Sequence, residues 1–285
     1  MALLEHFFFL AFTSQILAEH SEYLKWDGGW LMNRSTRLLE EKHCTVERRG
    51  ASLTYAEFIQ QYAFLRPVII QGLTDNSEFQ ALCTKERLLE EYGEHLVRLS
   101  TANTYSYQKV NVRFREYVEH LLKPQDQDCL GSDTLYFFGD NNFTEWGPLF
   151  EKYSAPPFQI PGTSKAYSFG IAGSGTGVPF HWHGPGFSEV IFGRKRWFLY
   201  PPEKTPEFNP NRTTLSWLME TYPLLLDVDR PLECTIHPGA VLSGSLVACN
   251  TKPGHQRVYL HFPGMSVTFC EILTNLRSCT SVMDQ

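Results

Sequence analysis

Two histidines, His181 and His183, stand two residues apart among Val178, Phe180 and Trp182. Alternate residues of a strand point to one face, so an apolar strand here presents two imidazoles side by side. That is half of a metal site. A glycine-containing turn follows, and a second apolar segment runs from Val190 to Tyr200. On it Lys195, Trp197 and Leu199 share one face, with Arg194 and Arg196 on the other. A lysine grouped with an aromatic and an aliphatic residue reads as inward-facing, and lysine is seldom buried without a partner. Lys195 therefore asks for an anion inside a pocket, or for an ion pair with a local acid such as Glu189 or Asp227.

Other strands and helices must hold these residues. Helical spacing of Tyr55, Phe58, Ile59 and Tyr62 predicts a helix near Tyr55 to Phe64, capped by Ser52 or Thr54. Arg66 to Gly72 reads as a buried strand ended by glycine. Thr84 and Gly93 bound a second helix, and Leu96 to Leu99 forms a strand. Phe114, Tyr117, Val118, Leu121 and Leu122 predict a helix over Asn111 to Leu122, stopped by Pro124. Thr134 to Phe138 and Ala166 to Ile171 read as strands. The run Ala172 to Gly177 is a turn into the histidines; it lacks the Gly-Lys-Ser/Thr ending of a phosphate loop. A helix near Thr214 to Tyr222, capped by Thr213 or Thr214, precedes a strand and turn over Leu232 to Gly239. Beyond Ser243, Arg257 to Phe262 and Met265 to Leu273 have strand character. Pro253, Gly254, Pro263 and Gly264 bracket the first of them like turns.

The series His181-Trp182-His183, Gly193-Arg194-Lys195-Arg196-Trp197 and Pro201-Pro202 resembles the JmjC family of 2-oxoglutarate- and iron-dependent oxygenases. The likeness covers roughly Arg66 to Leu242. It implies a mainly β, JmjC-type double-stranded β-helix of the cupin class with accessory helices. It also implies Fe(II) and 2-oxoglutarate as cofactors, with Lys195 and Tyr136 contacting the cosubstrate. The chain departs from the family at the metal. His183 stands where the family has an acid, and Ser243 to Asn250 stands where the strand with the distal histidine belongs. His255 and His261 are the candidates left for a third ligand beside His181 and His183. An iron site of this class needs two imidazoles and one carboxylate, so the resemblance implies a degenerate site. The expected organisation is 1–18 signal peptide, 19–133 an α/β extension, 134–242 the JmjC-like core, and 243–285 an atypical tail of the kind a splice variant gives.

Length and composition bound the function. In 285 residues, 42% hydrophobic and 14% aromatic content suffice for a sizeable core. A net charge of −6 gives no support to nucleic acid as the main partner, because such a face needs clustered Lys and Arg. The apolar run from His6 to Ala18 reads as a signal peptide cleaved near Ala18, and no other stretch has the roughly 18 apolar residues of a transmembrane helix. Sequons at Asn33, Asn142 and Asn211 agree with glycosylation in the endoplasmic-reticulum lumen. Seven cysteines without a Cys-x-x-Cys pair point to disulfides in an oxidising compartment. Three functions follow as expectations. The first is a lumenal protein that binds partners or itself, the second an active 2-oxoglutarate-dependent hydroxylase, and the third a non-functional variant with an incomplete barrel.

Overall fold

The computed structural model describes residues 27–30, 44–63, 65–101, 109–125, 135–138, 143–160, 163–183, 186–201, 204, 206–209, 212–244 and 257–275. At 143–144, 163–166, 178–179, 181–183, 244 and 257–275 the description is of the backbone. The stretch read as a signal peptide, the three sequon asparagines and His255 lie outside these residues.

The expected mainly β jelly roll is present. Its strands are β1 (Glu47–Arg49), β2 (Val68–Gln71), β3 (Leu96–Thr101), β4 (Val110–Arg113), β5 (Leu135–Phe138), β6 (Thr163–Ala172), β7 (Val178–His183), β8 (Gly186–Tyr200), β9 (Leu232–Ile236), β10 (Ala240–Gly244) and β11 (Arg257–Asn275). They join in the order β1-β2-β10-β8-β11-β6-β5-β3-β4, with β7 also on β11 and β9 also on β8. The two long strands serve both halves of the roll. One edge of β8 pairs first with β10 and then with β9, and its other edge runs along β11. β11 in turn pairs with β7 through its first half and with β6 through its second.

Gly193 makes this double use of β8 possible. Its φ of 84° lies in the left-handed region, which glycine enters without steric cost. Beside it the pairing with β11 slips, leaving Ile191 without a register partner. One extra residue in a strand reverses the alternation of its faces. Ser188, Val190, Lys195, Trp197 and Leu199 are thus brought to the same interior side despite the odd spacing between Val190 and Lys195. Gly193→Ala is expected to cost about 1–2 kcal/mol, the strain of a left-handed non-glycine residue. Differential scanning calorimetry should show a melting point lower by about 2–8 °C.

The interior packs Val46, Ile69, Val190, Trp197, Leu199, Cys234, Ile236, Ala240 and Leu242. Phe58 of helix α1 (Tyr55–Gln61) packs in one cluster with Tyr62, Val68 and Phe187, while a separate, aromatic-rich core joins Phe79 of α2 (Ser77–Leu82) and Tyr92 of α3 (Lys85–Tyr92) to Phe114, Phe137, Trp146 and Phe169. Capping follows local chemistry. Thr54 and Glu57 form a reciprocal capping box on α1, and the Thr84 hydroxyl accepts the Arg87 amide at the start of α3. Tyr117 locks β5 to β6: its hydroxyl donates to the Ile171 carbonyl at 2.6 Å and accepts the Phe137 amide at 3.3 Å.

Some elements differ from the sequence reading. Asn111–Arg113 belong to β4, paired with β3, and helical winding starts only at Phe114. Val110 and Val112 alternate with polar residues, and the exposed edge of β3 takes them up. Pro263 and Gly264 do not end a strand. They lie within β11, where a register slip between Pro263 and Ser266 absorbs them. The edge beside the His181 strand is not left open, because β11 occupies it.

A disulfide joins Cys44 to Cys234 across 190 residues. It pins the segment leading into β1 onto β9. Thr45 adds to the seam, its amide donating to the Glu233 carbonyl and its hydroxyl accepting the Glu233 amide, both at 2.8 Å. Beside the seam, Arg196 and Glu233 form an ion pair at 2.9 Å with side chains only 6% and 9% exposed. The Tyr222 hydroxyl donates to the same carboxylate at 2.6 Å. Cys83 is reduced and buried.

Candidate functional site

β7 carries His181 and His183. β11 runs antiparallel to it, with Tyr259 opposite His181 and Arg257 opposite His183. Directly opposed residues share a face, so Tyr259 and Arg257 stand at the register positions beside the two histidines. On its other edge β11 sets Tyr259 against Leu199, His261 against Trp197 and Pro263 against Lys195. One face of three adjacent strands therefore holds His181, His183, His261 and Lys195. His261 is offset from the pair: its partner on β7 is Val178, past a register slip.

The residues at these register positions depart from the two imidazoles and one carboxylate of an oxygenase iron centre. The register positions opposite the histidines supply no carboxylate, and the remaining imidazole is displaced along the strand. Among the residues with described side chains, which do not include these histidines, no three His, Cys, Asp or Glu come together as a metal site.

The anion side of the pocket is better formed. Lys195 is 1% exposed. Its Nζ lies 4.4 Å from the Trp197 ring centre and 5.6 Å from that of Phe138, and it donates to Ser188 Oγ at 3.3 Å. Rings stabilise a cation through their π faces. Neither acid suggested as its partner faces it. Glu189 points to the opposite side of β8, where its Oε2 accepts Tyr153 Oη at 2.7 Å and Asn76 Nδ2 at 3.0 Å. Burial pushes that carboxyl up, and the two hydrogen bonds pull it back. Asp227 is fully exposed and lies 3.5 Å from Arg230.

Tyr136 lies two residues from Phe138 along β5 and hence on the same face, and it packs in one small cluster with Ala172 and Phe138. It is buried, and burial pushes its phenol up to about 12. A phenol that holds its proton at neutral pH is a hydrogen-bond donor for a carboxylate. Ser188 and Phe138 were not singled out in the sequence. An unbroken strand would put Ser188 on the face opposite Lys195. Gly193, inside an otherwise strand-like run, was the one signal that the alternation reverses.

Residues 55–243 match the profile of the cupin-like domain. JmjC domain-containing protein 8 of Homo sapiens is 70% identical over 216 residues, spanning 76% of this chain and 81% of that protein. Its Rattus norvegicus counterpart is 68% identical over 219 residues, with the same coverage of 76% and 81%. A lysine-specific demethylase of Arabidopsis thaliana is 30% identical over 228 residues, covering 69% of this chain but 23% of that protein. The domain match ends at residue 243, and β11 lies beyond it.

Proposed function

The chain belongs to the cupin-like JmjC family, and from that premise we propose that it is a protein of the endoplasmic-reticulum lumen that acts by binding other proteins or a second copy of itself. Its metal site is degenerate. The observation that carries this reading is the register of β11, with Tyr259 and Arg257 opposite the two histidines. In an oxygenase the metal would draw on His181 and His183 and activate dioxygen with the help of 2-oxoglutarate. Here the acidic ligand is missing, and a neutral imidazole at 183 cannot replace its charge. Lumenal residence is supported by the apolar run from His6 to Ala18, by the sequons at Asn33, Asn142 and Asn211, and by the Cys44–Cys234 disulfide. Disulfides of this kind persist in oxidising compartments.

One observation favours the hydroxylase reading. The Lys195 pocket, with Ser188, Trp197, Phe138 and Tyr136, keeps the features that would hold the distal carboxylate of 2-oxoglutarate. A single experiment separates the two. Protein secreted into the lumen of cultured cells is purified, its iron measured by mass spectrometry, and succinate formation from 2-oxoglutarate followed. The expected result is substoichiometric iron and no succinate above a His181→Ala control. Stoichiometric iron with succinate production would establish the hydroxylase instead. In the same preparation, endoglycosidase digestion should increase gel mobility; an unshifted band with residues 1–18 retained would remove the lumenal assignment.

A further inference from the structure

Arg48 sits against the Cys44–Cys234 bridge. Its Nη2 lies 3.2 Å from Cys234 Sγ and donates to the Thr235 carbonyl at 3.3 Å. Among the described residues this guanidinium has no carboxylate partner. The next arginine shows the contrast. Successive residues of β1 face opposite ways, and Arg49 is taken up by Glu57 at 3.4 Å and by the Tyr62 hydroxyl at 2.7 Å. The cation one position earlier is set on sulfur instead.

The two sulfurs are not equivalent. Cys234 is 0% exposed, inside the core with Trp197 and Leu199, whereas Cys44 is only partly buried. An incoming thiolate therefore meets Cys44 first. Exchange also depends on the sulfur that leaves: the better its negative charge is held, the faster it departs. A guanidinium favours the thiolate of the cysteine beside it, and Arg48 is beside Cys234. Access and charge thus select one direction, attack on Cys44 and departure of Cys234. The intact bridge carries no charge, so the cation contributes most once the bond opens.

We propose that Cys44–Cys234 is an exchangeable bridge, opened by a protein dithiol of the Cys-x-x-Cys class that attacks Cys44 while Arg48 holds the departing Cys234 thiolate. A thiolate of the dithiol forms a bond to Cys44 Sγ as the Cys44–Cys234 bond breaks, and the electron pair of that bond goes to Cys234. The second thiol loses its proton, attacks the mixed disulfide and releases Cys44. The dithiol ends as a disulfide, and the two electrons and two protons it gives up end on Cys44 and Cys234. A single thiol does not complete this, because Cys234 stays beside Cys44 at high effective concentration and displaces it. Opening unpins the segment before β1 from β9, leaving the Thr45–Glu233 hydrogen bonds and the Arg48 bond to Thr235 at that seam. The chemistry is independent of the reading of the His181 face. Only the supply of such dithiols rests on lumenal residence.

The test uses the full-length oxidised protein and protein disulfide isomerase whose second active-site cysteine is changed to serine, so that the mixed disulfide accumulates. Peptide mass spectrometry should place the isomerase on Cys44. Reduction of the bridge by dithiothreitol is then followed by differential alkylation of the Cys44 and Cys234 peptides. Arg48 is exposed, so Arg48→Gln leaves the core intact. It should slow reduction about threefold to tenfold, the effect of a poorer leaving thiolate, and Arg48→Lys should restore most of the rate. Reduced glutathione at the same thiol concentration should open the bridge far less than dithiothreitol. If Arg48 only clamps the seam, its loss loosens the bridge and speeds reduction, which is the opposite sign. Faster or unchanged reduction in Arg48→Gln overturns the proposal. So does a mixed disulfide on Cys234, no mixed disulfide at all, or a lysine variant as slow as the glutamine one. A glycosylated chain isolated without the bridge overturns this proposal alone; an unglycosylated chain that still exchanges at Cys44 overturns only the lumenal assignment.

Discussion

A chain ended after Gly244 is expected to lose cooperative unfolding altogether. β11 fills the gap between β8 and β6 and covers the free edge of β7. Without it the edge of β8, a strand buried along nearly its whole length, presents unpaired backbone groups next to apolar side chains. Each backbone hydrogen bond contributes about 0.5–1.5 kcal/mol net, whereas a whole domain is stable by about 5–15 kcal/mol. Removing a central strand therefore exceeds the total. From the sequence, the segment after Ser243 looked like a poor substitute for a missing family strand, and an impaired barrel was expected. The register changes that expectation: β11 completes the sheet from outside the region matched to the cupin-like domain. Circular dichroism melting of the truncated and full chains decides it. A truncated chain with an unchanged, sharp transition would show that β11 contributes nothing to the fold.

The second large effect is electrostatic. Glu233→Ala should destabilise by about 3–5 kcal/mol, because it removes the carboxylate paired with the nearly buried Arg196 guanidinium. In a domain of this size that lowers the melting point by about 6–20 °C. The Arg196→Met, Glu233→Leu double substitution should cost much less than the sum of the two single changes, since it removes both charges together. Chemical denaturation of the four chains gives the coupling directly. A Glu233→Ala chain within about 1 kcal/mol of the parent would mean that water reaches the pair and screens it. The Tyr222 hydroxyl loses its acceptor in either variant, so Tyr222→Phe serves as the reference for that part of the loss.

What the sequence made legible was local. The capping residues of α1 and α3 are within three positions of what they cap, and Thr54, Thr84 and Gly93 were read accordingly. The faces of β7 and of the second half of β8 were readable because strand alternation needs no knowledge of neighbours. Which strand lies opposite His181 was not, since register is set by the packed sheet as a whole. That Tyr259 and Arg257 oppose the histidines, and that His261 sits one slip away, depends on pairings some 75 residues apart along the chain. The bulge at Gly193 hid Ser188 from the pocket, and the slip at Pro263 made one strand look like two. The disulfide escaped for a related reason: with seven cysteines, many pairings are open until the fold brings two sulfurs together.

The separation of that disulfide sets a timetable for making the protein. At roughly 5–20 residues per second, the 190 residues between Cys44 and Cys234 take about 10–40 s to emerge. For that interval Cys44 waits as a thiol while Cys83 and then Cys129 pass by as available wrong partners. Cys83 is withdrawn when it is buried beneath Trp30, whose indole N–H donates to the Cys83 carbonyl at 2.9 Å. The order of emergence then matters as much as the final contacts: every member of the aromatic core around Phe79 and Trp146 precedes Cys234 in the chain, so that core can close before the seam is sewn, and β11 arrives later still. In an oxidising compartment a nascent chain of this design would have to keep Cys44 unpaired until Cys234 emerges.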